Sequence, residues 1–235
     1  MSAAPILVTG GGQRLGLHCA ERLVDDGHSV IVSYRRERPA LDGLRRRGVV
    51  TLPADFSSEA GIVDFIARLK AETGSLRAIV HNASDKTPDT DGIDDGIAFE
   101  RLFRVHMQAP YLINRHCREL LDACSEPQRD IVHMTDFLVQ TGSRQHMAYA
   151  ATKAGLDNLT RSFAALYAPS IQVNAIAPSL IMLDQNDESA ERACTKPAMQ
   201  MIPGPGVIYQ SLRYLLDNRY VTGTTLAVDG GQYLR

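Results

Sequence analysis

Thr9-Gly10-Gly11-Gly12-Gln13-Arg14-Leu15-Gly16 decides the fold. It follows the apolar run Ile6-Leu7-Val8 and opens a helical stretch that ends near Asp26-Gly27. Glycines at such a strand-to-helix turn let the backbone bend tightly and approach a pyrophosphate. At the helix N-terminus, free N–H groups and the dipole favour an anion. A glycine run alone is weak evidence. The strand before it, the helix after it and its place in the first βα turn make it a dinucleotide-binding signature.

The next strand, Val30-Ile31-Val32, ends on Ser33-Tyr34-Arg35-Arg36, with no acid before Glu37. A site that prefers NAD carries Asp or Glu here for the ribose hydroxyls. Two guanidiniums suit a 2′-phosphate instead, so the expected cofactor is NADP(H). Val49 to Leu52 reads as a third strand, closing on Pro53-Ala54-Asp55. Ser57 or Ser58 can cap a helix with Ile62, Phe65, Ile66 and Leu69 on its apolar face. Ala78-Ile79-Val80, Ile131-Val132, Ile171 to Ile176 and Leu226-Ala227-Val228 are further strands. A long helical stretch spans about Ile97 to Cys124, and another starts at Tyr149, with Leu156, Leu159, Phe163 and Leu166 along one face.

Alternating β and α segments with unbroken apolar strands predict an α/β fold, a parallel sheet with helices on both faces. No linker or repeat divides residues 1–235, so one domain is expected. Met182 to Gly206, polar and then rich in Met, Pro and Gly, reads as a substrate lid.

Of the 235 residues, 44% are hydrophobic and 22% charged, which excludes disordered and fibrous classes. Twenty-five Lys and Arg against 27 Asp and Glu leave a net charge of −2. That balance gives no electrostatic reason to bind nucleic acid or anionic lipid. Cys19, Cys117, Cys124 and Cys194 form no Cys-x-x-Cys pair and read as reduced thiols. Neither a signal peptide nor a membrane-length apolar run is apparent, so the expected location is the cytoplasm. The histidines show no paired ligand spacing, and no metal is expected.

Tyr149-Ala150-Ala151-Thr152-Lys153 puts a phenol and an ammonium four apart on one helix face. A nearby cation stabilises phenolate and is expected to lower the Tyr149 pKa toward a useful range. With Thr9-Gly10…Gly16, Asn82-Ala83-Ser84 and Asn174-Ala175-Ile176-Ala177-Pro178-Ser179, this pair resembles the short-chain dehydrogenase/reductase family over the whole chain. The resemblance implies a Rossmann-type doubly wound sheet of about seven strands.

Two departures from the general pattern are informative. Arg14 replaces the middle glycine of T-G-x-x-x-G-x-G, and Asp136 stands about 13 residues before the tyrosine, where a serine is usual. Both occur in the pteridine reductases. His81-Asn82-Ala83-Ser84, Ile131 to Asp136 and Ala177-Pro178-Ser179-Leu180-Ile181 resemble the dihydromonapterin and alternative dihydrofolate reductase group. The resemblance implies NADPH-dependent reduction of a dihydropterin C=N bond, in dihydromonapterin, dihydrobiopterin or dihydrofolate. It assigns catalysis to Asp136, Tyr149 and Lys153. Cofactor binding falls to Gly10, Gln13, Arg14 and Leu15, to Ser33, Tyr34, Arg35 and Arg36, and to Asp55 and Phe56. Asn82, Ala83, Ser84, Thr135, Tyr149, Lys153, Pro178 and Ser179 complete that set. Substrate binding falls to Arg14, Ser84, Asp136, Tyr149 and Leu183. The helices from Ile97 to Cys124 and from Tyr149 to Ala168 resemble those that pair subunits, implying a dimer or tetramer.

The chemistry agrees independently. An ionised Asp136 repels the oxygen that becomes negative in ketone reduction. A C=N bond is protonated to an iminium, whose positive charge a carboxylate stabilises, and a protonated Asp136 would deliver the proton itself. Simpler roles stay open: Asp136 as a cap on local N–H groups, Arg14 as a phosphate clamp, Asp55 as a turn acid. His106 takes the place of an Asn that holds a water near the lysine in many relatives. A neutral imidazole can hold that water or simply be a buried helix residue. No aromatic follows Ser84 to stack on a pterin. The competing functions are a 3-oxoacyl or small-ketone reductase, with Thr135 as hydroxyl donor, and a non-catalytic NADPH-binding regulator.

Overall fold

A computed structural model describes residues 3–86, 94–182 and 197–234. The apolar runs form strands β1 (Ile6–Val8), β2 (Val30–Tyr34), β3 (Val50–Pro53), β4 (Ala78–His81), β5 (Asp130–Met134), β6 (Gln172–Pro178) and β7 (Thr225–Val228). All pair in parallel in the order β3-β2-β1-β4-β5-β6-β7. Leu7 of β1 lies opposite Ile31 on one side and Ile79 on the other. The chain reverses its winding between β1 and β4. The crevice beyond the carboxyl ends of those strands is where such sheets bind ligands.

Successive strand residues face opposite sides, which explains why β1 is apolar throughout. Ile6 and Val8 pack with Leu23 of α1 (Arg14–Asp25) and with Leu41 and Leu44 of α2 (Pro39–Arg46). Leu7 packs on the other face with Ile62, Phe65 and Leu69 of α3 (Glu59–Glu72), which is capped by the Ser58 hydroxyl accepting from Gly61 N. The predicted long helix is α4 (Asp95–Phe103), a π-helical turn (Arg104–Gln108) and α5 (Ala109–His116), then a break at Cys117 and the short α6 (Arg118–Asp122). A one-turn α7 (Leu138–Thr141) precedes α8 (Met147–Tyr167), and α9 (Gly206–Asp217) returns to the α1 face.

One face assignment is corrected. Leu156 and Phe163 of α8 are buried, but Leu166 is 53% exposed and Tyr167 takes the core position in the last turn. A step of four from Phe163 keeps the stripe facing the sheet, whereas the step of three to Leu166 carries it outward.

Of the predicted lid, 183–196 lie outside the described residues, and Leu183 with them. The remainder sits on the exit from β7, where Met199 N donates to Gly230 O at 3.0 Å. Among the described residues no helix is long and apolar enough to cross a membrane.

Candidate active site

The glycine loop is clasped to the end of β4. Thr9, buried at the end of β1, accepts through Oγ1 from Asn82 N and Ala83 N, each at 3.0 Å. Asn82 Nδ2 returns the contact, donating to Thr9 O at 3.0 Å and Gly10 O at 3.2 Å. Gly10 has φ +68°, and a Cβ there would lie 2.9 Å from Ala83 Cα. A Cβ on Gly16 would overlap Gly10 O and the Asn82 amide. Only glycine fits either position. Ser33, also buried, accepts from Gly10 N at 3.1 Å, so Ser33 and Asn82 act by shaping the loop. Gln13 and Arg14 are exposed at its tip. Arg14 has φ +49°, a left-handed conformation that costs a non-glycine residue about 1–2 kcal/mol.

Arg35 and Arg36 lie exposed beyond β2, where a 2′-phosphate is expected. Arg35 Nη1 donates to Asp85 Oδ2 at 3.3 Å, and the same carboxylate oxygen pairs with Arg101 of α4. Asp85 was missed in the sequence, because nothing local marks an acid that neutralises cations from two distant elements. Asp55 accepts from Ser57 N and Ser57 Oγ at 3.0 and 2.7 Å. Those bonds, the backbone one first, hold its carboxyl below the usual range. The Phe56 side chain points into the core, edge-on to Phe65 at 5.2 Å, so Phe56 offers only main chain to a cofactor. Pro178 and Ser179 leave β6, where Ser179 Oγ donates to Asp229 O at 3.3 Å. Beside them an apolar cavity of about 150 Å³ is lined by Ile181, Met199, Met201 and Val228.

The three candidate catalytic groups meet at the carboxyl end of β5. The Tyr149 phenol donates to Asp136 Oδ2 at 2.8 Å, and Asp136 Oδ1 accepts from Leu138 N at 2.9 Å. The carboxylate therefore both caps α7 and receives the phenol. Lys153 donates to Met134 O at 2.7 Å, with Nζ 5.6 Å from the centre of the Tyr149 ring. Lys86 lies over the same ring at 5.3 Å.

The electrostatic expectation for Tyr149 is corrected. Burial first, then the Asp136 carboxylate, holds the phenol well above its ordinary value. Desolvation and a like-signed neighbour both penalise phenolate and outweigh the opposing hydrogen bond of Ser84. Lys153 is itself pulled down to about 8 by burial, partly countered by Asp136. At neutral pH the site holds a protonated phenol and an ammonium. Thr135 is no substitute hydroxyl donor, since its Oγ1 donates to Ile176 O at 3.1 Å inside the sheet.

His106 holds no water of the kind expected, because both ring nitrogens already have partners in Ser84, Asp85 and Thr152. Beneath the site His81 Nε2 donates to Asn114 Oδ1 at 2.7 Å, and Asn114 Nδ2 donates to His133 Nε2 at 3.2 Å. His133 Nδ1 then donates to Thr160 Oγ1 at 2.8 Å. Burial lowers His81 to about 4 and His133 well below its ordinary value, so both rings are neutral. Among the described residues no three His, Cys, Asp or Glu side chains gather as metal ligands.

Comparison with known proteins is consistent with this geometry. A family model described as enoyl-(acyl carrier protein) reductase matches residues 12–232. The dihydromonapterin reductase of Klebsiella pneumoniae is 48% identical over 233 residues, 98% of this chain and 97% of that protein. Its namesake from an Enterobacter species is 44% identical over 232 residues, with the same coverage. FolM alternative dihydrofolate reductase 1 from Brucella canis, complexed with NADP, superposes with a TM-score of 0.88 at 29% identity, over 99% of this chain and 95% of that one. In glycine loop, strand order and Tyr149–Lys153 pair alike, the chain belongs to the short-chain dehydrogenase/reductase family.

Proposed function

We propose that this protein is an NADPH-dependent reductase of a dihydropterin C=N bond, producing the tetrahydro form of dihydromonapterin, dihydrobiopterin or dihydrofolate. One observation carries the reading: a carboxylate, Asp136, receives the Tyr149 phenol where a ketone reductase needs a hydroxyl. A negative group there favours a nitrogen that becomes positive and opposes an oxygen that becomes negative. The relatives named as dihydromonapterin reductases, at 42–48% identity, support the same substrate class.

The residues fit the cofactor. The glycine loop packs so closely on the segment leaving β4 that a Cβ at Gly10 or Gly16 would collide, which holds its backbone at the start of α1, and Arg35 and Arg36 supply cations for a 2′-phosphate. When bound, NADPH supplies a hydride to the carbon of the C=N bond. Tyr149, held protonated, gives its proton to the nitrogen, and the Asp136 carboxylate stabilises the positive charge that accompanies the transfer. Lys153 then faces the phenolate and lowers its cost. Arg14, Ser84 and Leu183 are assigned to the pterin.

The ketone-reductase reading is disfavoured by Asp136 and by the inward-turned Thr135 hydroxyl. A non-catalytic regulator has no need of the intact Tyr149, Lys153 and Asp136 arrangement. The chain is read as one domain, acting in the cytoplasm, with 182–206 as its lid. Phe99, Phe103 and Tyr111 on or after α4, and Leu166 on α8, are exposed apolar side chains, which supports a homo-oligomer paired through these helices. Light scattering tests that pairing: a dimer or tetramer supports it, and a monomer at working concentration overturns it.

The function is tested by incubating the protein with NADPH and dihydromonapterin and separating the products. Tetrahydropterin formed one for one with NADPH consumed is the expected result. Tight NADPH binding without turnover of any pterin would return the protein to the regulator class.

A further inference from the structure

His106 is 1% exposed and sits in the middle of the π-helical turn Arg104–Gln108. Such wide turns recur at functional sites. The ring touches two segments of the site that do not otherwise adjoin in sequence. Nε2 lies 2.9 Å from Ser84 Oγ and 3.2 Å from Asp85 N, both in the segment leaving β4. Nδ1 lies 2.9 Å from Thr152 Oγ1 on α8. The ring also stands edge-on to Tyr149, with centroids 5.3 Å apart.

The proton on this ring can be placed from its neighbours. A backbone N–H only donates, so Nε2 must accept from Asp85. Thr152 spends its hydroxyl proton on Tyr149 O at 2.9 Å, which leaves only lone pairs toward Nδ1. Nδ1 must therefore carry the hydrogen. Two independent partners select the same neutral tautomer. The charges around it agree: burial and then the Lys153 ammonium oppose a second proton, while the Asp85 carboxylate is engaged by Arg35 and Arg101. Tyr149, the remaining titratable neighbour, is held neutral.

We propose that His106 is a positioning residue for the reduction, a neutral Nδ1–H bridge that fixes the Ser84–Asp85 segment against the turn of α8 carrying Tyr149. Ser84–Asp85 borders the cofactor groove through the Arg35 contact, and Tyr149 carries the proton. The bridge sets the distance between the two sides of the reaction without touching either reactant. It rests on the reductase reading for its catalytic consequence, but not for its geometry.

Two measurements test it. In the NADPH-bound protein with ¹⁵N-labelled histidine, the His106 signals, identified by their loss in His106→Gln, should show protonated Nδ1 and bare Nε2 from about pH 6 to about pH 8. A protonated Nε2, or a ring that titrates in that range, overturns the bridge. In steady-state assays, His106→Phe keeps a ring but leaves Asp85 N–H and Thr152 without their partner. Its kcat should fall on the order of 10²-fold, with KM and melting temperature moving far less. His106→Gln, which retains a donor and an acceptor, should recover part of the loss. Unchanged kcat in His106→Phe overturns the proposal. If that variant does not fold, the tautomer measurement on the wild type decides alone. A wild type with the expected tautomer but no pterin turnover overturns the reductase reading and leaves the bridge standing.

Discussion

Replacing Asp136 with Asn removes a charge while keeping the shape of the side chain, and the structure sets the size of the effect. The carboxylate lies 2.8 Å from the phenol that delivers the proton, in a site where Tyr149 is 6% exposed and Lys153 2%. A positive charge developing about 4 Å from that carboxylate is stabilised by about 4 kcal/mol at an effective dielectric constant of about 20. The Asn amide oxygen returns part of this, so about 2.7–4 kcal/mol is lost, a fall of roughly 10²–10³ in kcat. The pH profile should change as well. Burial brings Lys153 down to about 8, and the Asp136 carboxylate is what resists a further drop. The ammonium is present below that value and lost above it, so the wild type should lose activity as pH rises through about 8. Without the carboxylate the neutral amine is favoured, and the alkaline limb should move to lower pH. Steady-state NADPH absorbance with dihydropterin across pH reads both effects. Asp136→Asn with wild-type kcat and an unmoved alkaline limb would show that the carboxylate merely caps Leu138 N.

Replacing Arg35 and Arg36 together with Ala should weaken NADPH by roughly 10–10²-fold per lost phosphate contact while sparing NADH, read by fluorescence titration. Equal loss for both cofactors would refute the 2′-phosphate assignment. Thr9→Val leaves the part-buried Ala83 N–H without its acceptor and Asn82 N–H with only Val80 O at 3.1 Å, and should cost roughly 1–3 kcal/mol in urea unfolding. Thr9→Ser should be nearly neutral, and a stable Thr9→Val would contradict the clasp. Acid should destabilise the fold early. His81, His106 and His133 stay neutral when folded and protonate when unfolded, so the unfolded state binds more protons below about pH 6.5. Asp130, raised by burial to about 6, contributes with opposite sign below that value. Three histidines against one aspartate leave the unfolded state binding more protons, so stability should fall as pH drops from about 6.5 toward the folded His81 value of about 4. Unfolding free energies that are flat over that window would refute the neutral-histidine assignment.

The sheet was legible because each strand carries a short apolar run, and the glycine loop because its spacing is set by backbone contact. A cap at Ser57 or Ser58 was readable for the same local reason, and the structure takes Ser58. What the sequence withheld concerns direction and distant partners. Phe56 and Thr135 occupy the expected places, yet one ring turns into the core and one hydroxyl into the sheet. Residue type and spacing do not say which side of a strand end faces the ligand. The fourfold spacing of Tyr149 and Lys153 placed them on one face but showed neither the burial of the phenol nor its bond to the Asp136 carboxylate, which together reverse the expected pKa shift. His106 reads in the sequence as a holder of water near the lysine or as a buried helix histidine, because its actual partners come from the segment leaving β4 and from α8, more than 20 and 40 residues away. The π-helical turn that presents it has no signature in apolar periodicity.

A carboxylate at the end of β5 should select C=N over C=O, and a ratio of rates on the two substrate classes reads that selection. Initial rates of NADPH oxidation by the wild type, with dihydromonapterin and with a β-ketoester under the same conditions, give kcat/KM for each. A preference for the dihydropterin on the order of 10² or more is predicted, the reach of one charge-stabilising group in a water-poor site. A β-ketoester turned over as well as or better than the dihydropterin would contradict it.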